Sequence, residues 1–109
     1  MDSRLINVYS GAKFLRAQGE IEEQQWGGHA DEIEASIMLA IDAESVDISK
    51  ARIAPRRIRG GRFNRRRSDE PNYSPDGVNG NPALATIRKG ERLLSAMLED
   101  VLGEIVFAS

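Results

Sequence analysis

The sequence predicts a small α/β domain with one or few strands and two main helices. Three stretches carry that expectation. Leu5-Ile6-Asn7-Val8-Tyr9 is short, β-branched and aromatic and stops at Ser10-Gly11, the pattern of a strand. Between Ala30 and about Ala43 the apolar positions Ile33, Ile37, Met38, Ala40 and Ile41 recur at helical spacing. From Pro82 to about Phe107, the residues Leu84, Ile87, Leu94, Met97, Leu98, Val101, Leu102 and Ile105 mark a longer helical stripe. A chain of 109 residues has room for one core of moderate size, so residues 1–109 are expected to form one domain.

Taken in order, the strand is apolar on both faces and suits the inside of a sheet. Residues 12–25 read as a loop with a short helix: Ala12 to Ala17 can form a turn or two, Gly19 interrupts, and Glu20 to Gln25 is mostly polar and reads as a solvated surface. Gly27 and Gly28 supply a tight turn into the first main helix, whose first turns hold Asp31, Glu32 and Glu34, where carboxylates complement the helix dipole. Residues 42–51 read as a helix exit followed by an irregular or edge segment. The basic tract of residues 50–67, broken by Pro55 and by Gly60-Gly61, reads as a loop or a strand with long ends. Ser68 to Gly80 is turn chemistry throughout. Asn81 can cap the last helix, with Pro82 at its first position. Gly90 and Gly103 lower that helix's propensity a little.

Composition narrows the chemistry. Cysteine is absent, so disulfides and thiolate metal sites are excluded, and any metal must be held by carboxylates, imidazole or water. Such a donor set suits zinc or manganese. No apolar run is long enough to span a bilayer, and Met1-Asp2-Ser3-Arg4 lacks the opening of a signal peptide, so a cytoplasmic location is expected. The net charge of −2 hides a strong segregation: residues 50–67 carry one lysine and eight arginines with no acid, leaving six basic residues elsewhere against all 17 acids.

The stretch Trp26 to Ser36 holds the only histidine, the only tryptophan and three acids at the start of a helix. An imidazole beside carboxylates is what a hydrolytic or metal site is built from. By the residues alone His29 is a structural or surface histidine at a helix start, Glu34 a first-turn glutamate of a surface helix, and Trp26 a core or interface residue. Helical spacing leaves open whether His29 and Glu34 converge, because a helix that begins at Ala30 or Asp31 lets His29 bend back over its end.

Gly28-His29-Ala30-Asp31-Glu32-Ile33-Glu34-Ala35-Ser36-Ile37-Met38-Leu39-Ala40 resembles a segment of the creatininase family that reads approximately GHAGEIETSLMLAL. Val46-Asp47-Ile48-Ser49 is similar to the valine-aspartate segment that follows there. Ser74-Pro75-Asp76-Gly77-Val78-Asn79-Gly80-Asn81-Pro82 with Lys89-Gly90-Glu91 is similar to the family's SPxGVxGDP…KGE signature. The resemblance implies a three-layer α/β/α fold, assembly into oligomers, and a two-metal site that hydrolyses cyclic or linear amides of small molecules. It implies proton transfer by His29 and a metal carboxylate in Glu34, and it leaves Trp26 open as a substrate contact. Asp31 and Ala35 replace the family's usual glycine and threonine. The amino-terminal half of the family pattern, which supplies most metal ligands, has no counterpart, so the chain is expected to be a truncated, partial three-layer domain that is weak or inactive alone.

Two other functions stay open. One is a non-catalytic oligomerising or binding protein that keeps the fold, partnered by its own copies or by a chain that supplies the missing half. The other is anion or nucleic-acid binding through residues 50–67. Nucleic acid is disfavoured because only Phe63 interleaves with the arginines and no recognisable nucleic-acid module is present. A cationic loop meeting acids of its own or a neighbouring subunit is the preferred explanation of the tract.

Overall fold

The structure, a computed structural model, describes residues 2–58, 62–67 and 72–108, with side chains as far as residue 105. Three helices carry it: α1 (Ala12–Ile21), α2 (Glu32–Asp42) and α3 (Ile87–Ala108). Short 3₁₀ turns at Ala43–Ser45, Ile48–Lys50 and Pro82–Leu84 lie between α2 and α3. Phe14 and Ala17 of α1, Ile33 and Ile37 of α2 and Leu93 of α3 form the buried core, with Ile21, Leu94, Ala96 and Met97 packed around it. No described helix is long and apolar enough to cross a membrane. The Gly60-Gly61 break, Arg59 and the Ser68–Pro71 part of the turn-rich segment lie outside the described residues.

The strand expected at residues 5–9 does not form, and among the described residues no strand does. Leu5 is 97% exposed. Asn7 turns the chain instead: its carbonyl accepts the Ser10 N–H at 3.2 Å and its side chain accepts the Tyr9 N–H at 3.0 Å. A lone strand has no ladder to satisfy its amides, and local side-chain bonds of this kind win when no neighbour is offered. The segment lies along α3 instead, where Arg4 pairs with Glu104. β pairing among the described residues is limited to two isolated antiparallel bridges, His29 with Asn79 and Ala54 with Gly80.

Where a loop with a short helix of a turn or two over Ala12 to Ala17 was expected, α1 runs on through Gly19 to Ile21. Phe14, Ala17 and Ile21 share one face, which packs on α3. Its start carries no cap of its own; the carboxylate of Asp100, from α3, accepts the N–H groups of Lys13 at 3.1 Å and Phe14 at 2.9 Å. Gly19 faces open space, so it costs only its propensity of about 1 kcal/mol. The second helix starts two residues later than expected, because Asp31 is its cap: Oδ1 accepts the N–H groups of Ile33 at 3.1 Å and Glu34 at 3.0 Å.

The last helix begins at Ile87 rather than Pro82. Asn81 does cap Pro82–Leu84, accepting the Ala83 N–H at 3.2 Å, but that turn ends in extended Ala85. Continuity fails because the Leu84 carbonyl accepts from the Lys89 ammonium at 2.8 Å, and the Thr86 N–H goes to the Ser36 hydroxyl at 3.2 Å. Thr86 then caps α3 by accepting the Lys89 N–H at 3.1 Å.

Helices α2 and α3 meet at Gly90, which is buried. A Cβ there would overlap the Ser36 carbonyl and stand 2.8 Å from Ala40 Cβ, whereas at Gly103 it would meet nothing within 4 Å. The two glycines therefore respond in opposite directions to the same change. Gly90→Ala is expected to lose about 1–3 kcal/mol through overpacking despite its better helix propensity. Gly103→Ala is expected to gain about 0.5–1 kcal/mol. Urea midpoints of the two variants check both signs.

Candidate functional site

The site is assembled on a strap rather than a sheet. Asn79-Gly80 runs between the His29 turn and Ala54: Asn79 O accepts from Gly28 N at 3.1 Å and His29 N at 3.3 Å, and Asn79 N donates to His29 O at 2.8 Å. On the other side Ala54 N donates to Gly80 O at 2.9 Å and Gly80 N to Ala54 O at 3.2 Å. The Asn79 side chain, 1% exposed, accepts the Arg56 N–H at 2.9 Å. Gly80 has φ 141° and lies so close to α2 that a Cβ would overlap Asp31. Only glycine combines that backbone with that approach.

Beneath the strap lies a buried polar node. The Gln24 side chain donates to Asp31 Oδ2 at 2.8 Å and Glu22 Oε2 at 2.7 Å, and it accepts from Asn81 N at 2.9 Å and Glu32 N at 3.2 Å. Glu32 is fully buried. Its carboxylate accepts the N–H groups of Glu23 and Gln24, both at 2.9 Å on Oε1, and the Lys89 ammonium at 2.6 Å on Oε2. Lys89 also reaches Glu23 at 2.5 Å. Burial alone would push the Lys89 pKa down, but the hydrogen bonds and fields of Glu23 and Glu32 outweigh it and hold the ammonium above the ordinary lysine value.

Of the residues expected at the site, His29 sits outside the helix, in the bridge to Asn79, half-buried with its ring 4.5 Å from the ring of Phe63. Glu34 folds back over the helix start, where Oε2 accepts the Ala30 N–H at 2.6 Å. The helix spacing left that question open, and the structure brings the Glu34 carboxylate to the amide that follows His29. Ala30 is the one non-glycine residue with positive φ (47°) among those described, a conformation that costs about 1–2 kcal/mol and is held by that bond. Trp26 is 39% exposed and lies under the guanidinium of Arg57 at 5.7 Å. A cleft of about 240 Å³ opens beside the turn, lined by Tyr9, Phe14, Gln18, Gly28, Asp31, Ile33 and Glu34. Burial, then the charges of Glu34 and Asp31, raise the Tyr9 phenol above its ordinary pKa.

The donors among the described residues do not form a complete metal centre. Among the described residues no three histidine, aspartate or glutamate side chains converge on a point that could hold an ion. The three acids of the motif are engaged in structure: Asp31 caps α2, Glu32 neutralises Lys89, and Glu34 holds the Ala30 amide. Sequence reasoning missed Lys89, Gln24 and Asn79 as parts of this node. The available signal was that Glu32 and Ser36 share the buried face of α2 at i,i+4 spacing, which demands polar partners.

Two substitutions at Lys89 and its partners separate the buried pair from the exposed one. Lys89→Met is expected to cost about 3–5 kcal/mol, since it leaves the buried Glu32 carboxylate without its cation. Glu23→Gln is expected to cost under about 1 kcal/mol, because the Glu23 side chain is 63% exposed. A raised lysine pKa contributes stability that is fully present below the unfolded value of 10.5 and lost as pH rises through the folded one. Urea titrations should therefore show wild-type stability falling above pH 10.5, a fall that Lys89→Met lacks.

The creatininase family model, described as creatinine amidohydrolase, matches residues 2–105. No curated protein and no solved structure matches the chain. The family is metal-dependent. With the match running over nearly the whole chain and the glycine-histidine turn joined to the SPxGVxG strap in one bonded unit, the chain belongs to the creatininase family.

Proposed function

We propose that this chain is the carboxy-terminal portion of a creatininase-type amidohydrolase, acting on a carbon–nitrogen bond of a small, non-peptide amide. In this reading a second chain, or further copies of this one, supplies the divalent metal's ligands, with zinc or manganese the ions that suit carboxylate and imidazole donors. His29 is the proton-transfer group. Its backbone is fixed on both sides by Asn79 and its ring is oriented by Phe63, the positioning that general acid/base work needs. The cleft beside Tyr9 and Glu34 is the corresponding place for a small substrate. The paired segments at His29, Asn79-Gly80 and Ala54 are where the sheet of a three-layer α/β/α fold would continue once neighbouring strands are present.

The observation that carries the reading is the family match over residues 2–105, taken with three motif carboxylates that are all engaged in structural bonds. A second reading, assembly without chemistry, is supported by the half-exposed stripe Leu98, Leu102 and Ile105 on α3.

The test is metal content, turnover and size of the purified chain. With added manganese or zinc the chain alone should hold well under one ion per molecule and should not turn over simple cyclic or linear amides. Stoichiometric metal that is lost in the His29→Ala/Glu34→Ala double variant, together with amide hydrolysis, would overturn the partial-site reading. A discrete oligomer in gel filtration that stays inert when the remaining half of a family domain is added favours the assembly reading.

A further inference from the structure

We propose that Arg57, Arg62, Arg65, Arg66 and Arg67, with the rings of Trp26 and Phe63, form a binding surface for single-stranded nucleic acid. The acid-free run of residues 50–67 invites the question of where its charge is neutralised. Among the described residues, two of its cations meet a carboxylate. Lys50 meets only Asp47, three residues away, at 3.7 Å, and Arg52 meets Asp76 at 3.6 Å. Arg56 is built into the strap through its N–H on Asn79 and its guanidinium on the Tyr73 carbonyl at 2.6 Å. Arg57, Arg62, Arg65, Arg66 and Arg67 are exposed and form no ion pair with a carboxylate among the described residues. Of the expected pairing of the tract with acids of its own or a neighbouring subunit, Lys50 with Asp47 and Arg52 with Asp76 are seen.

Folding also changes the aromatic count. In sequence only Phe63 lies among the arginines, but the structure brings Trp26 beneath Arg57 and His29 onto Phe63. Trp26 keeps 39% of its surface exposed. Trp26 thus lies against one exposed arginine of the tract, and Phe63, within the tract, lies against His29, three residues on from Trp26. The tract is also tied down: the Arg62 carbonyl accepts from the Asn72 side chain at 2.9 Å, Asn64 N bonds Asn72 O, and Ala54 is bridged to Gly80. Ordering the backbone in advance lowers what binding must spend in entropy.

The chemistry selects among polyanions. Guanidinium groups take phosphate oxygens in bidentate fashion, better than ammonium, and the tract is eight arginines to one lysine. Base stacking uses aromatic faces, whereas an acidic protein surface would use the charge alone. Duplex readout needs a helix or ribbon that enters a groove, and the described part of the tract contains neither. A single strand, with phosphates on the arginines and a base on Trp26, satisfies both features.

Because Trp26 is the only tryptophan, its fluorescence reports directly on the surface. Titrating the chain with a short oligothymidylate at low salt should quench that emission. The slope of log K against log salt should be about −3, from four or five phosphates neutralised. Arg65→Ala/Arg66→Ala should flatten the slope by about 1.4 units. Trp26→Leu, followed by anisotropy of a labelled oligonucleotide, should weaken binding about tenfold with the slope unchanged, a separation that a purely electrostatic contact would not give. No binding at low salt would overturn the proposal. So would polyglutamate binding as tightly as the oligonucleotide without quenching, an outcome that would make the tract a docking surface for an acidic protein.

Discussion

The contact between Lys89 and the buried carboxylate of Glu32 is the constraint on which the remaining geometry rests. Glu32 sits in the first turn of α2 and accepts amides from the chain just beyond α1, while Lys89 belongs to the first turn of α3. One ion pair therefore fixes the starts of two helices and the exit of a third. The same ammonium draws away the Leu84 carbonyl, so it also decides where α3 begins. A buried charge pair is a weak source of net stability compared with an apolar core of equal volume, but it tolerates no other register. With a core centred on Phe14, Ala17, Ile33, Ile37 and Leu93, that specificity matters more than it would in a larger domain.

On this frame the family motif takes a structural meaning alongside any chemical one. Asp31 and Glu34 act at the helix start much as a capping box does, except that Glu34 reaches one residue further back, to Ala30. The strained Ala30 and the Gly80 approach show why a small residue and a glycine are needed there. What the turn holds is a half-buried imidazole, clamped through its own backbone and set against Phe63, with the neighbouring Gly28 in the wall of a small cleft.

How much of this was legible in the sequence depended on how far each cause lay from its effect. The second helix was readable because its apolar period and its capping acid are local, and Asn81 was rightly read as a cap even though it caps a separate turn. The strand at 5–9 was misread because β-branched composition says nothing about whether a neighbouring strand exists. The first helix was read as only a turn or two because the carboxylate that caps it lies on α3, and the late start of α3 was hidden because its cause is a lysine side chain five residues on. His29 and Glu34 could be singled out from the motif, but the pairing of Glu32 with Lys89 spans 57 residues and leaves no local trace. Gly90 and Gly103 look alike in sequence; only the close approach of Ser36 distinguishes them.

The cap that Asp100 provides to α1 has a consequence for the order of events during synthesis. A helix of ten residues is too short to persist by propensity alone, and α1 has no polar side chain at its own start. Its capping group is made 86 and 87 residues after the amides it serves. Helix α1 therefore leaves the ribosome well before the group that caps it, and until α3 docks, the apolar face of Phe14, Ala17 and Ile21 is exposed to whatever else is nascent nearby. In kinetic terms α1 waits for α3.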